Sequence, residues 1–291
     1  MNPILSAEDH LRAGDPAQAL MLLQDQVRAK PGDAKLRVFL FQLLCVLGQW
    51  ERALAQLNVA AELDASALAM AQTYREAIKC ELLRAEVFAG RKAPMVFGQP
   101  DAWLALLIES LLRCGRGDTA DGLALRDQAF LQAPASAGSL KTGSLETGSP
   151  GPDEPGVHFA WIADADMRLG PVLEAIINGR YYWLPFARLA LIQIDPPEDL
   201  RDSVWMPAHL RFENGGESVA LIPTRYSGSE TSDDGQVALA RKTLWNETYP
   251  QTFAGVGQRV LTTDGGDYPL MDLRSIEFEA AGADAGLAAA G

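Results

Sequence analysis

Along the front half of the chain apolar residues recur every three or four positions. Along the back half they alternate, so helices are predicted first and strands after. The helical part also repeats at longer range. Gly14-Asp15-Pro16-Ala17-Gln18-Ala19-Leu20 aligns with Gly48-Gln49-Trp50-Glu51-Arg52-Ala53-Leu54 at a spacing of 34 residues, which also relates Leu23 to Leu57 and Met21 to Ala55. This is the tetratricopeptide period. The residue types suit helix pairs: a glycine ends the first helix, the small Ala19 and Ala53 let the second approach closely, and Pro31 closes the unit.

The third unit drifts. Residues 66–90 predict one long helix with Leu68, Ala71, Ile78, Leu82, Leu83 and Val87 at helical spacing, after which Pro94 and Pro100 break the chain. Asp101 is placed to cap a helix reaching Cys114. Gly117, Leu123 and Pro134 follow Gly14, Leu20 and Pro31 at an offset of 103, about three periods plus one, which predicts a last helix pair over 101–132. Residues 1–134 are thus expected to form a tetratricopeptide-like α-solenoid of about seven helices.

Residues 135–156 are dominated by Gly, Ser, Thr and Pro, hold no apolar period, and read as a flexible linker. Residues 157–279 carry hairpin signals. Asn178-Gly179 separates 175–177 from 180–184, Asn214-Gly215-Gly216 separates 209–213 from 218–222, and Asp264-Gly265-Gly266 separates 259–263 from 268–278. Residues 234–246 resemble a helix. The expected back half is a mostly antiparallel sheet or small barrel with one or two helices, and 280–291 a disordered tail. The whole is α+β in two domains. Strand alternation sends Tyr181 and Trp183 to one face and Tyr182 to the other, with Trp183 in the core.

Composition narrows the function. The hydrophobic fraction is 48% and the charged fraction 22%, ordinary for a globular chain, and no apolar run is long enough for a membrane helix. The start, MNPILSAEDH, lacks the basic and apolar regions of a secretory signal, so a cytoplasmic location is expected. Of the net charge of −13, only −2 lies in residues 1–135 (14 Lys+Arg against 16 Asp+Glu); residues 136–291 have 11 against 22, or −11. Such a surface repels nucleic acid and anionic lipid and favours a basic partner. Cys45, Cys80 and Cys114 have neither disulfide nor zinc spacing and read as buried thiols.

Catalytic patterns are sparse. His10, His158 and His209 have no partner at metal-ligand spacing. The segment Gly138 to Thr142 lacks the phosphate-loop spacing, and Gly255-Val256-Gly257 lacks the third glycine and the helix of a dinucleotide site. Asp164 and Asp166 flank Ala165 after an apolar run. A D-x-D pair at a strand end can hold Mg²⁺, but pairing with Arg168 or capping of a turn accounts for it as well. The back half has nine arginines and two lysines. Asp164, Asp166, Arg168, Arg180, Arg225 and Arg259 are read as an Arg–carboxylate network, with an anion or peptide-carboxylate pocket as its sharper alternative. No metal or cofactor is called for.

Taken in order after tetratricopeptide-like helices, FAWIADADMRLGPVLEAIINGRYYWLPF, DLRDSVWMPAHL, ALIPTRY, LARKTLW and GVGQRVLTTD resemble the ImpE/TagJ family, also called SciE, over nearly the whole chain. The resemblance implies a non-enzymatic accessory protein of bacterial type VI secretion. Its implied partner is the N-terminal helix of the small contractile-sheath subunit, with a link to sheath disassembly by the dedicated AAA+ ATPase. A solenoid groove suits such a helix, and Phe39, Leu43, Tyr74 and Trp103 are the candidate peptide-binding strip. Two other classes stay open. A hydrolase built on Asp164, Asp166 and the arginines would carry bound metal when purified, and a chaperone-like solenoid would not be saturated by one defined peptide.

Overall fold

The computed structural model describes residues 6–143 and 156–280. Its helices are α1 (Ala7–Ala13), α2 (Pro16–Ala29), α3 (Ala34–Val46), α4 (Trp50–Leu63), α5 (Leu68–Phe88), α6 (Ala102–Gly115), α7 (Thr119–Gln132) and the single turn α8 (Gly235–Ala238). The strands are β1 (Met95–Val96), β2 (Gly138–Thr142), β3 (Val157–Phe159), β4 (Ile162–Asp164), β5 (Val172–Ile177), β6 (Arg180–Pro185) and β7 (Leu189–Ile194). They continue with β8 (Trp205–Phe212), β9 (Glu217–Pro223), β10 (Thr243–Tyr249), β11 (Thr252–Gly257), β12 (Val260–Thr263), β13 (Gly266–Pro269) and β14 (Leu273–Phe278).

Two compact units result. One comprises Met1–Glu86, Pro197–Met206 and Pro223–Arg259; the other comprises Val87–Pro196, Pro207–Ile222 and Val260–Gly291. The boundaries 1–134 and 157–279 expected from composition differ from these, because two later segments join the first five helices and because α6 and α7 group with the sheet.

In the first unit the 34-residue repeat appears as the helix pairs α1/α2 and α3/α4. Ala19, Ala53, Leu23 and Leu57, equivalent across the repeat, are all fully buried. Each start has its chemical reason. Ser6 and Asp9 form a capping box on α1, Asp15 accepts the Gln18 N–H ahead of Pro16 at the first turn of α2, and Asp33 accepts the Lys35 and Leu36 N–H groups of α3. Gly14 ends α1 in the left-handed conformation. Helix α3 is buried continuously from Leu40 to Val46, as its all-round apolar sequence requires. The helix expected over 234–246 shrinks to α8, since Ala240 takes a positive φ of 55° and turns the chain. Residues Thr243–Tyr249 instead pair antiparallel with Thr252–Gly257, around a turn holding Pro250 and Gln251.

The second unit is built on a nine-stranded sheet in the order β1-β6-β5-β9-β8-β7-β14-β2-β3, antiparallel except where β1 joins β6. The order runs from one edge strand to the other, so there is no closed barrel. The Asn178-Gly179 hairpin joins β5 to β6 with Ile177 opposite Arg180, and Asn178 takes the positive φ such a turn needs. A three-stranded sheet, β13-β12-β4, completes the unit. Strand β2 lies in the segment read as linker. Its single apolar side chain, Leu140, is buried, and a Cβ on Gly138 would stand 2.2 Å from the Glu277 carbonyl oxygen. That glycine permits close backbone approach, which composition cannot distinguish from flexibility. Residues 144–155 of the expected linker and 281–291 of the expected tail lie outside the described residues.

Trp183 and Tyr181 are buried and Tyr182 is only half-buried, as the alternation predicts. The Trp183 indole N–H donates to the Tyr181 hydroxyl at 2.7 Å, and that hydroxyl donates to the wholly buried Glu174 at 2.5 Å. Trp183→Ala therefore removes a large buried ring and one end of a polar chain. A loss of about 3–5 kcal/mol is expected, read as a lower midpoint in denaturant unfolding.

Candidate functional site

The predicted peptide-binding strip is divided by the fold. Leu43 on α3 has no exposed surface, Tyr74 on α5 is 7% exposed, and Phe39 is half-buried. Trp103 on α6 is buried in the other unit. Tyr74 is covered by the chain's own segment Pro197–Met206. Trp205 has no exposed surface; its ring lies 5.5 Å from Tyr74 and 6.1 Å from Trp50, and Tyr74 in turn lies 5.9 Å from Phe41. The Trp205 indole N–H donates to Glu81 at 2.9 Å, and the Arg201 guanidinium sits 4.9 Å over the Tyr74 ring. Burial raises the Tyr74 phenol to about 12. The Tyr74 face is thus covered by a later segment of its own unit, and of the four Phe39 keeps the most surface.

The six residues read as an Arg–carboxylate network are placed as follows. Arg225 and Arg259 fall in the first unit, whereas Asp164, Asp166, Arg168 and Arg180 fall in the second. Arg180 is exposed at the start of β6. Arg259 is buried, donates to the Pro223 carbonyl at 2.8 Å and lies 5.3 Å over the Tyr226 ring. Asp166 binds Arg168 through the backbone N–H and the Nε–H, both at 2.9 Å, and Nη2 at 2.5 Å. Asp164 accepts the Asp166 N–H at 2.8 Å. The D-x-D motif thus folds a turn, and among the described residues no group of three or more His, Cys, Asp or Glu is placed to hold a metal ion.

Arg225 has a role the sequence did not reveal. Its guanidinium donates to the Val46, Cys45 and Ala238 carbonyls at 2.6, 2.8 and 2.5 Å. The first two are carbonyls at the C-terminal end of α3, which have no intrahelical partner and carry the negative end of the helix dipole. Arg241 does the same for α1, donating to the Leu11 and Arg12 carbonyls at 2.7 and 3.2 Å. Helices α1 and α3 are the equivalent first helices of the two repeats, so one later segment caps both. Burial depresses the Arg225 pKa, opposed by Glu230 and Glu81, and the three carbonyls replace the water it has lost. Beside it, Arg84 is buried, pairs with Glu81 at 3.4 Å and donates to the Arg225 carbonyl at 2.9 Å.

A separate concavity of about 360 Å³ lies in the second unit, lined chiefly by Phe130, Pro134, Trp161, Ala163, Met167 and Pro171. Among the described residues no helix is long and apolar enough to cross a membrane.

Paired helices at the tetratricopeptide period, followed by a β-rich domain, define the class, and comparison with known proteins gives the family. Residues 10–75 match the tetratricopeptide repeat model, and residues 156–277 match the model described as ImpE protein. The chain is 50% identical over 273 residues to the type VI secretion system accessory component TagJ of Pseudomonas aeruginosa, covering 94% of this chain and 91% of that one. The crystal structure of protein VPA1032 from Vibrio parahaemolyticus superposes with a TM-score of 0.80 at 25% identity, covering 94% of this chain and 97% of that one. The chain belongs to the ImpE/TagJ family.

Two measurements test the site chemistry. Arg225→Met keeps the length but leaves buried carbonyls without a donor, and a loss of about 3–5 kcal/mol in unfolding free energy is expected. Thiol reactivity should follow burial. Burial pushes the Cys45 thiol well up and Cys80 to about 12, while half-buried Cys114 is raised too. Each raised pKa leaves less thiolate at pH 8, so maleimide followed by mass spectrometry should label Cys114 first and Cys45 last.

Proposed function

We propose that this protein is a non-enzymatic cytoplasmic adaptor of type VI secretion. It binds the N-terminal helix of the small contractile-sheath subunit and so links that subunit to sheath assembly and disassembly by the AAA+ ATPase. The family and the Pseudomonas aeruginosa relative support the setting. The observation that carries the adaptor role is the contrast between interior and surface. The charged side chains suited to chemistry serve the scaffold: Arg225 holds the end of α3, Arg259 lies against Tyr226, and Asp166 clamps Arg168. Large apolar side chains, by contrast, face solvent, among them Met21, Leu63, Leu68, Leu82 and Trp161. Exposed apolar groups suit capture of an amphipathic helix.

Co-purification of the full chain with the sheath small subunit, with and without its N-terminal helix, tests this. Retention of the intact subunit and loss of the truncated one is the expected result, with a Kd near micromolar, about −8 kcal/mol. Equal retention of both would remove the helix as the determinant.

A further inference from the structure

Strand β10 has β11 on one side and, in this two-stranded sheet, no strand on the other. Its central residues, Leu244 to Thr248, are all exposed, so both faces of the strand meet solvent. Leu244 is 39% and Trp245 41% exposed. The strand is nevertheless held in place. Trp245 pairs with Gly255, where a Cβ would stand 2.2 Å from the buried Tyr226 ring, and the Trp245 ring itself lies 5.7 Å from Tyr226. Glu247 accepts the Gln251 N–H at 2.8 Å and so braces the turn that leads into β11.

The phase of the ladder shows which backbone groups point outward. The Gln258 N–H donates to the Lys242 carbonyl at 3.1 Å, so the bonded pairs fall on even-numbered residues of β10. Gly257, opposite Thr243, agrees: its N–H donates to the Ser229 hydroxyl at 2.8 Å and its carbonyl accepts the Tyr226 N–H at 2.9 Å. Thr243, Trp245 and Glu247 therefore turn their N–H and carbonyl groups away from β11, along an edge that no other strand covers among the described residues. Such a row is a template for a further strand. Its usable length is set by the register shift between Glu247 and Tyr249, which ends regular pairing. The regular stretch is Thr243 to Glu247, and its middle residue is Trp245.

These five residues fit a second copy of themselves. Antiparallel pairing about a two-fold axis at Trp245 sets Thr243 opposite Glu247 and Leu244 opposite Asn246 of the second copy. Every outward N–H and carbonyl of the stretch then finds a partner, and no like charges face each other. The wider charge balance agrees. The chain carries −13, which opposes self-association, but residues 223–259 hold four Lys+Arg against four Asp+Glu, a net of zero. Repulsion between copies is least where the open edge lies. We propose that β10 is a self-association surface, joining two copies of this chain into a two-fold dimer through a continuous four-stranded sheet with Trp245 at its axis. Such a dimer presents every other surface of the protein twice, and is bivalent toward a partner.

The test is size-exclusion chromatography with light scattering on the full-length protein over a range of concentrations. The expected mass rises to twice that of the chain; a mass that stays at one chain throughout would overturn the proposal. Trp245→Lys and Trp245→Glu each place like charges opposite one another at the axis, and each should lose the dimer. An equimolar mixture of the two should regain it, because Lys then faces Glu. A dimer that persists in either variant alone would overturn the pairing. Amide exchange on the wild-type protein needs no substitution: the N–H groups of Thr243, Trp245 and Glu247 should exchange more slowly as concentration rises. Exchange there that ignores concentration would overturn β10 as the joining edge, even if a dimer forms.

Discussion

The ends of α1 and α3 are the constraint on which the first unit depends. A helix that finishes in a buried place leaves carbonyls that must find donors; α3 finishes where water cannot serve, whereas α1 finishes at the surface. Arg225 and Arg241 supply the donors, each reaching carbonyls of the equivalent helix in successive repeats. A hydrogen bond from a charged donor contributes about 1.5–3 kcal/mol, and a guanidinium can serve several carbonyls at once. Segment Pro223–Arg259 is thereby an integral part of the helical unit, and the repeats are not complete without it.

The same economy governs the other buried polar groups. Glu81 receives the Trp205 indole and pairs with Arg84; Glu174 receives the Tyr181 hydroxyl, which in turn receives Trp183. Each chain ties an aromatic side chain of one element to a charged or polar group of another. Buried polar groups of this kind fix one packing arrangement, because any alternative would leave a donor or acceptor unmet.

How much of this was legible depended on distance along the chain. The 34-residue repeat and the Asn178-Gly179 hairpin are local patterns, and each appears where it was read, whereas Asp101 stands before α6 as expected but makes no side-chain cap bond. The pairing of Asp166 with Arg168 spans two residues and was also readable. Arg225 reaches Cys45 across 180 positions and Arg241 reaches Leu11 across 230, and nothing in either neighbourhood marks the partner. Trp205 hid the fate of Tyr74 for the same reason: the helical pattern shows that a face must be covered but not by what. Strand β2 was missed through composition, since a glycine admitting a close backbone looks the same as one in a loose tether.

The long reach of Arg225 and Arg241 also orders events during synthesis. Helices α1 and α3 leave the ribosome well before residues 223–259 exist, so for that interval their carboxyl ends have no donors from this segment and the Trp205 site among α3, α4 and α5 is vacant. At ~5–20 residues per second the gap between residue 47 and residue 225 amounts to about ten to forty seconds. Contacts so distant in sequence also slow the final step, because the intervening chain must be closed into a loop before they form. A nascent chain of this architecture spends that time with a tetratricopeptide-like groove open, a state accessible to chaperones and prone to mispairing with a neighbouring copy.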